Sequence, residues 1–393
     1  MKKKYFLFLF IFSIYSPLKA QVNLSVYSEV SIVTAGPGTE LYEAFGHSAI
    51  RIKDPVLNFD IIYNYGMFDF NQPNFLLNFA KGNMIYSLAR YDFKYFLASY
   101  KKDKRWLKQQ VLNLTQKEKQ AYFSFLEQNA APKNRDYLYD PYFNNCATKL
   151  RDITKNILGS KVTFNDSQIE KDLTFRNLTN NEIHWNSWGT FGLNLIAGIK
   201  LDKKVTSEES MYLPDYAYEL FKNASVLDKN ERKSLIKRED ELLVFNEIKP
   251  TSSFLSPFLI FSLLSLLGLF ITYKDVKNKR RTKTVDFLIF FTTGIIGCIL
   301  IFLWFFSTHS TAPNNFNILW AFASNLVIAF FFLKNSVNNW IKKYLLILSI
   351  FLLIIPILWV IGVQEFPIII TPILIFIFVR YYFLRTILLS SIK

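Results

Sequence analysis

The chain has 393 residues, of which 51% are hydrophobic, and a formal net charge of +15. The apolar residues are unevenly distributed, because long apolar runs are concentrated after residue 250. Basic loops between those runs account for part of the positive charge, so the charge gives no reason to expect a nucleic-acid partner. The composition therefore indicates a water-exposed domain followed by a membrane domain.

The first twenty residues have the pattern of a secretory signal peptide. Lys2, Lys3 and Lys4 precede an apolar run of about a dozen residues, and a short segment ending at Ala20 follows it. An uncleaved anchor is the alternative, but this run is short for a membrane span. We therefore predict that residues 1–20 are cleaved off and that residues 21–250 form an exported domain.

Five runs in the remaining chain, residues 251–393, are long enough, or nearly so, to cross a bilayer. They are residues 252–273, 285–306, 316–333, 344–363 and 366–384. Six Lys or Arg residues lie between 274 and 283 and none between 307 and 315. This alternation predicts, by the positive-inside rule, an inner (cytoplasmic) membrane protein whose first domain faces outward and whose C-terminus is cytoplasmic.

The membrane runs carry no series of charged residues at mid-depth, so we interpret them as an anchor and not as an ion path. A lipid-binding groove among the helices is the alternative. Arg380 lies near the end of the last run, and we expect its side chain to extend to the membrane interface.

The exported domain has a single cysteine, Cys146. Pro141 and the asparagines at 144 and 145 interrupt regular structure, and either asparagine could cap a following helix. Apolar residues then recur at helical spacing as far as Gly159, which is placed to end the helix. A thiol in the first helical turn has a lowered pKa, which suits a nucleophile. The alternative is an inert core cysteine.

The candidate base for this thiol is His47. It lies in an alternating segment, residues 45–52, and a second strand is predicted at 59–66 after a turn near Pro55. In this hairpin, Asn64 lies opposite His47, give or take one residue, and could orient the imidazole. The alternative is a structural histidine without a chemical role. We interpret His184 as structural or interfacial, and the wide spacing of these residues predicts no metal site.

Four other segments give local predictions. Thr115 and Glu118 form a capping box at the start of a helix, and Pro214 begins another. The aromatic segment 185–198 is interpreted as core strands, with a lipid-facing rim as the alternative. The charged segment 228–241 is predicted to be a solvated helix or a linker.

Several of these strings resemble the N-terminal periplasmic domain of Lnb-type lipoprotein N-acyltransferases. They are residues 34–38 (TAGPG), 45–51 (FGHSAIR), 63–66 (YNYG), 68–70 (FDF), 134–135 (NR) and 145–146 (NC). The order of histidine before cysteine is also similar to the circularly permuted papain-like group that includes lecithin:retinol acyltransferase and relatives of the NlpC peptidases.

The resemblance implies an α+β, permuted papain-like domain followed by the five-helix membrane domain. It also implies that Cys146 is the acylated nucleophile and His47 its base. Asn145, Tyr63 and Arg135 lie in the matching strings and are candidates for substrate binding or an oxyanion site.

The thiol and the histidine together predict acyl transfer through a thioester. The resemblance supplies the substrates, namely a phospholipid as acyl donor and the N-terminal amine of a lipoprotein as acceptor, with no cofactor. Two alternatives stay open. One is an exported cysteine peptidase or amidase acting on cell-wall peptides, and the other is a membrane scaffold or binding module without catalytic activity.

Overall fold

The computed structural model describes residues 22–165, 172–248, 250–252, 254–335 and 337–390. The predicted signal peptide and its cleavage site lie outside these residues. A mixed domain extends to Leu243, and helices that begin at Pro257 form the second domain. The predicted class, an α+β domain followed by a helical membrane domain, is confirmed.

Two antiparallel sheets organise the described part of the N-terminal domain. The strands are β1 (Glu29–Ala35), β2 (His47–Asp54), β3 (Phe59–Met67), β4 (Ile85–Asp92), β5 (Leu107–Leu112), β6 (Asp136–Leu138), β7 (Val162–Thr163), β8 (Ser225–Asp228), β9 (Glu231–Ser234) and β10 (Ile236–Leu243). The larger sheet has the order β10-β5-β1-β2-β3-β4-β6, and the smaller has the order β7-β8-β9. The predicted hairpin of β2 and β3 is confirmed.

The prediction of a solvated helix or linker for residues 228–241 is wrong. This segment contains β9 and most of β10, and β10 pairs with β5 at the edge of the larger sheet. An edge strand with one exposed face accommodates charged side chains, and Arg238 uses its charge in an ion pair with Glu29 at 3.0 Å.

Eight helices surround the sheets within the described residues. They are α1 (Phe75–Lys81), α2 (Phe93–Lys102), α3 (Gln116–Ala130), α4 (Cys146–Leu158), α5 (Phe175–Asn181), α6 (Trp188–Ile196), α7 (Ser207–Ser210) and α8 (Pro214–Lys222). The capping box of Thr115 and Glu118 at the start of α3 and the proline at the start of α8 are confirmed.

The two faces of the larger sheet carry different helices. Ala49 and Ile62 pack with Phe96 of α2 on one face. Ile50 belongs to the core cluster on the other face, which includes Leu150 of α4. Neighbouring residues along β2 thus contribute to opposite faces, as the two-residue period of a strand requires.

The interpretation of residues 185–198 as core strands is wrong, because most of this segment is α6. Phe191 and Leu195 of α6 pack against the core of the membrane domain. Trp188 is about half exposed, and its Nε1 donates to the Leu255 carbonyl just before the first membrane helix at 2.9 Å. The two tryptophans of this segment, Trp185 and Trp188, are about half exposed, and the apolar partners of α6 belong to the second domain.

The second domain contains five helices in its described part. They are α9 (Pro257–Lys277), α10 (Lys283–Phe305), α11 (Asn325–Phe331), α12 (Trp340–Val360) and α13 (Thr371–Ser390). Among the described residues, α9, α10, α12 and the helix at 368–387 are long and apolar enough to cross a membrane. These four correspond to predicted spans.

The remaining predicted span, residues 316–333, is a broken segment and not one long helix. It consists of a 3-10 turn at Phe316–Leu319, irregular residues and the short α11. It still packs along α10, since a Cβ at Gly297 would lie 2.1 Å from the Ala321 carbonyl oxygen and one at Gly294 would lie 2.1 Å from the Leu326 nitrogen. At one end Asn317 donates to the Asn194 carbonyl of α6, and at the other the Phe332 carbonyl accepts from Arg281, just before α10.

The expectation that Arg380 extends to the membrane interface is wrong. Its guanidinium is fully buried between helices and forms ion pairs with Asp275 and Asp286, both at 2.8 Å. Two carboxylates from flanking helices satisfy this charge inside the bundle, so it has no need to reach solvent.

The N-terminal domain docks on one end of the bundle. Gly198 N–H donates to the Thr311 carbonyl at 2.8 Å, and Glu365 N–H donates to Asp202 at 2.9 Å. The loops at 307–315 and 361–367 therefore lie on the side of the N-terminal domain, while the basic loop at 278–282 lies at the opposite end of α10. This alternation is the one expected from the distribution of basic residues.

We expect Gly198→Ala to weaken this docking. A Cβ at residue 198 would lie 2.0 Å from the Pro313 carbonyl oxygen, so the two backbones must separate, at a cost of about 1–3 kcal/mol. Thermal unfolding of the detergent-solubilised protein should show the loss. The matched control is Gly192→Ala in α6, where a Cβ meets nothing within 4 Å. Equal unfolding temperatures for the two variants would contradict the docking contact.

Candidate active site

The thiol of Cys146 lies at the first position of α4, as the sequence predicted. Asn145 caps the helix by accepting from the N–H groups of Ala147 and Thr148 at 3.0 and 2.9 Å, and Gly159 follows the last residue. The Cys146 residue is 8% exposed and belongs to the core cluster of the N-terminal domain. The sulfur therefore lies at the positive end of the helix dipole, in a protein interior that contains little water.

His47 approaches this thiol from the other face of the sheet. The pairing of β2 with β3 ends at Ile50 and Tyr63, so His47 at the start of β2 lies beyond the last pair. On β3, Gly66 lies beside both groups, since a Cβ there would lie 3.9 Å from the Cβ of Cys146 and 4.0 Å from Cε1 of His47, which are ordinary van der Waals distances. Its φ of +93° is a backbone conformation that favours glycine, so the path of the chain at the end of the hairpin depends on this residue.

The predicted register, with Asn64 opposite His47 within one residue, is wrong by two residues. The pairs run from Asp54 with Phe59 to Ile50 with Tyr63, which continues to Ala49 opposite Asn64. A shift of two keeps side chains on the same face of the sheet, so the two side chains are diagonal neighbours. The His47 Nε2 and Asn64 Oδ1 atoms are 2.6 Å apart.

The hydrogen bonds of Asn64 fix the orientation of the imidazole. Its Nδ2 donates to the Tyr91 hydroxyl at 3.0 Å, which leaves Oδ1 to accept from His47 Nε2–H. The Nδ1 atom of His47 is then the ring nitrogen available to exchange a proton with Cys146. Phe96 packs beside the ring with a centroid separation of 6.4 Å.

The charges of the pair stabilise each other. Burial acts to raise the pKa of Cys146, but the charge of His47, the hydrogen bond to its ring and the N–H groups of Ser48 and Ala147 bring that pKa below its ordinary value. Burial acts to lower the pKa of His47, and the sulfur and Asn64 raise it above its ordinary value. The site therefore favours a thiolate with an imidazolium, which is the nucleophilic form of the pair.

The prediction of Asn145 as a substrate or oxyanion residue does not fit its contacts. Its Oδ1 caps α4, and its Nδ2 donates to the carbonyls of Pro141 and Tyr212, both at 2.7 Å. All polar atoms of the side chain are thus engaged within the protein, and its role is to place Cys146.

Tyr63 and Arg135 also lie away from the thiol and the imidazole. Tyr63 is on the opposite face of β3 from Asn64, fully buried, and its hydroxyl donates to Glu127 at 2.5 Å. The Arg135 side chain is about half exposed, and its Nε lies 3.7 Å from Asp136. The Tyr63 hydroxyl is therefore engaged within the protein, and a role for Arg135 in substrate binding stays a prediction.

Three contributors were missed from the sequence. Tyr91 accepts a hydrogen bond from the amide of Asn64, Gly66 has the positive φ that the strand end needs, and Ser48 supplies an N–H to the sulfur. The signal for Gly66 was present, since a glycine near the end of a strand often marks a close approach of other groups. Within the described part of the chain, no cluster of three or more His, Cys, Asp or Glu side chains could hold a metal ion.

The fold and the candidate active site define a membrane-anchored protein. Its α+β domain brings together a thiol, an imidazole and an amide, with the imidazole between the other two. Comparison with protein families gives the particular relationship: the chain belongs to the Lnb family. Residues 16–181 match the Lnb N-terminal periplasmic domain, and residues 249–391 match the Lnb transmembrane domain. Comparisons with curated proteins and with solved structures give no match.

The thiolate–imidazolium pair predicts a pH dependence. In a Cys298→Ser background, alkylation of Cys146 by iodoacetamide should have its inflection below that of an ordinary thiol, whose pKa is about 8.5. His47→Ala removes the charge and the hydrogen bond of the imidazole, which are the largest causes that lower the pKa of Cys146, but keeps the burial that raises it, so the inflection should move to higher pH. The measurement is the alkylation rate against pH, followed by mass spectrometry.

The matched control for this experiment is His184→Ala. His184 accepts a hydrogen bond from the N–H of Asn186 at 3.1 Å, outside the centre. Its substitution should leave the inflection in place. An unchanged profile in His47→Ala would mean that His47 does not stabilise the thiolate.

Proposed function

We propose that this protein is a cysteine acyltransferase that moves a fatty acyl chain from a phospholipid to the N-terminal amine of a lipoprotein. The observation that carries the proposal is the alignment of Cys146, His47 and Asn64, with 2.6 Å between the imidazole and the amide. Membership of the Lnb family supports the lipid donor and the lipoprotein acceptor.

In the first half-reaction, the Cys146 thiolate attacks the ester carbonyl of the phospholipid. The N–H of Cys146 belongs to the first turn of α4, where a helix offers no internal acceptor, so it can stabilise the oxyanion together with the helix dipole. The C–O bond then breaks, and the His47 imidazolium gives its proton to the departing lysophospholipid alcohol. An acyl thioester on Cys146 remains.

In the second half-reaction, the acceptor amine attacks the thioester. Neutral His47 takes a proton from the amine, the C–S bond breaks, and the Cys146 thiolate is regenerated beside the imidazolium. The thioester must meet the amine before water. The low exposure of Cys146 and the attachment of the domain to the bilayer both reduce contact with water.

The proposal is tested with the full-length protein, phospholipid and a diacylated lipopeptide with a free amino terminus. N-acylated lipopeptide and lysophospholipid should form in matched amounts, measured by mass spectrometry. With a blocked amine, an acyl adduct on Cys146 should form and turnover should stop after it. Steady release of fatty acid would instead make the protein a lipase, and cleavage of cell-wall peptides without acylation would favour the hydrolase.

Substitutions at the centre give the second arm of this test. We expect Cys146→Ala to abolish the adduct and His47→Ala to reduce turnover by about 10²–10⁴-fold, the usual contribution of a positioned acid–base group. The double variant should be no slower than Cys146→Ala, because the two residues act as a unit. Retained turnover in Cys146→Ala would remove the proposed nucleophile.

We further propose that the catalytic domain is periplasmic and the C-terminus cytoplasmic. Reporters fused after Lys283 and Lys343 should report the cytoplasm, and reporters near Thr311 and Glu365 should report the periplasm. Thr311 and Glu365 contact the N-terminal domain. Reporters at these two sites should therefore report the same side of the membrane as that domain. A cytoplasmic signal near Thr311 would overturn the proposed topology.

A further inference from the structure

The N-terminal domain carries an apolar segment, residues 67–80, that the proposed chemistry does not use. It extends from the end of β3 through α1 and contains one charged residue, Asp69. No residue of α1 is buried, and Leu76 is 80% exposed. The other large hydrophobic side chains exposed on this segment are Met67, Phe70, Leu77 and Phe79. A soluble domain rarely exposes so many together, and such patches mark contact surfaces.

Contacts with the second domain place this segment at the level of the membrane surface. The Thr308 N–H donates to the Lys81 carbonyl at 2.8 Å, and His309 Nε2 lies 2.8 Å from the Phe79 carbonyl. A Cβ at Gly82 would lie 2.7 Å from the His309 nitrogen, so α1 and this loop are in tight contact. Thr308 follows the end of α10 at Phe305 by three residues, so α1 lies where a membrane helix ends.

A row of aromatic rings connects the segment with the thiol. In order, it comprises Phe79, Phe75, Phe68, Tyr86 and Tyr139. Successive ring centroids are 6.3, 6.3, 4.9 and 4.2 Å apart. Tyr139 Cε2 lies 3.9 Å from the Cβ position of Gly66, which is itself 3.9 Å from the Cβ of Cys146.

We propose that the apolar segment 67–80 is immersed in the lipid leaflet next to the N-terminal domain, and that the aromatic row guides a phospholipid acyl chain from this leaflet to Cys146. The immersion is independent of the reaction, whereas the acyl path rests on the proposed function. Aromatic rings at a membrane interface tolerate both hydrocarbon and water, which suits a path between the two.

Lipid fits this surface better than a water-soluble partner or a second copy of the chain. The exposed face of α1 offers no charged side chain to a protein partner before Lys81 at its end. Lys81 is exposed and lies beside the loop that leaves the membrane, at the level expected for lipid phosphates. The exposed side chains that precede Lys81 in α1 are apolar and lie at the same level relative to the membrane domain.

Immersion is tested by the depth of a nitroxide label at residue 76. The full-length protein carries Cys146→Ala, Cys298→Ser and Leu76→Cys and is reconstituted in nanodiscs of phosphatidylethanolamine and phosphatidylglycerol. The label should collide more with oxygen than with a water-soluble nickel chelate. The control is Val56→Cys, which is 61% exposed in the turn at the other end of β3. Its label should show the opposite preference.

Two results would overturn immersion. A label at residue 76 with the nickel accessibility of the label at residue 56 would place the segment in water. Spin–spin broadening between labels at residue 76 would place a second copy on this surface. Neither readout depends on catalysis, because Cys146 is absent from the labelled protein.

Delivery of an acyl chain from the leaflet, on which the path depends, is tested with Leu76→Asp against the control Val56→Asp, both with Cys146 in place. Formation of the acyl adduct from bilayer phospholipid should slow by about tenfold to a hundredfold in Leu76→Asp, the factor that corresponds to burying one leucine. Formation from a water-soluble short-chain thioester should not change. An equal loss with both donors would overturn the path.

Failure of the proposed function gives a distinguishable result. The unsubstituted protein would then form no adduct from either donor, and this result would disprove the acyl path together with the proposed reaction. The depth of the label at residue 76 would still decide whether the segment is immersed.

Discussion

The contact between a helix thiol and a strand imidazole depends on one constraint, the separation of β2 from β3 beyond Ile50 and Tyr63. Cys146 reaches the gap from the face that carries α4, and His47 and Asn64 belong to the face that carries α2. Were the hairpin paired to its end, the sheet would stand between them. Cys146 is 8% exposed, so the charges of the pair act on each other in a medium of low dielectric constant.

The membrane domain fixes the height of this centre above the bilayer. Backbone groups make much of the docking, at Gly198 with Thr311 and at Lys81 with Thr308, so the fit depends on the path of the chain more than on exchangeable side chains. Both contacts use the loop that follows α10. One loop therefore sets the position of α6, of α1 and, through the aromatic row, of the route towards the thiol.

Local signals in the sequence predicted the helix and the hairpin that carry the centre, because such signals act over a few residues. Asn145 and Gly159 delimit α4 by capping, and the alternation of β2 preserved the correct face for Asn64 although the register was wrong by two residues. The other predictions were wrong because the residues concerned have partners that are distant in the sequence. The carboxylates that hold Arg380 come from two other helices, and α6 finds its apolar partners in the membrane domain, so no window of sequence reveals either.

The broken crossing at residues 316–333 has a consequence for how the chain enters the membrane. The segment is held by groups from other parts of the bundle, since the Phe316 N–H donates to the Gln364 side chain, and the Asn325 side chain donates to the Thr293 hydroxyl and accepts from the Tyr344 hydroxyl. Hydrocarbon offers no such partners, so this segment is unstable there as an independent unit. Two of its partners, Tyr344 in α12 and Gln364, follow it in the chain, so the stable packing of this crossing depends on residues that are synthesised after it.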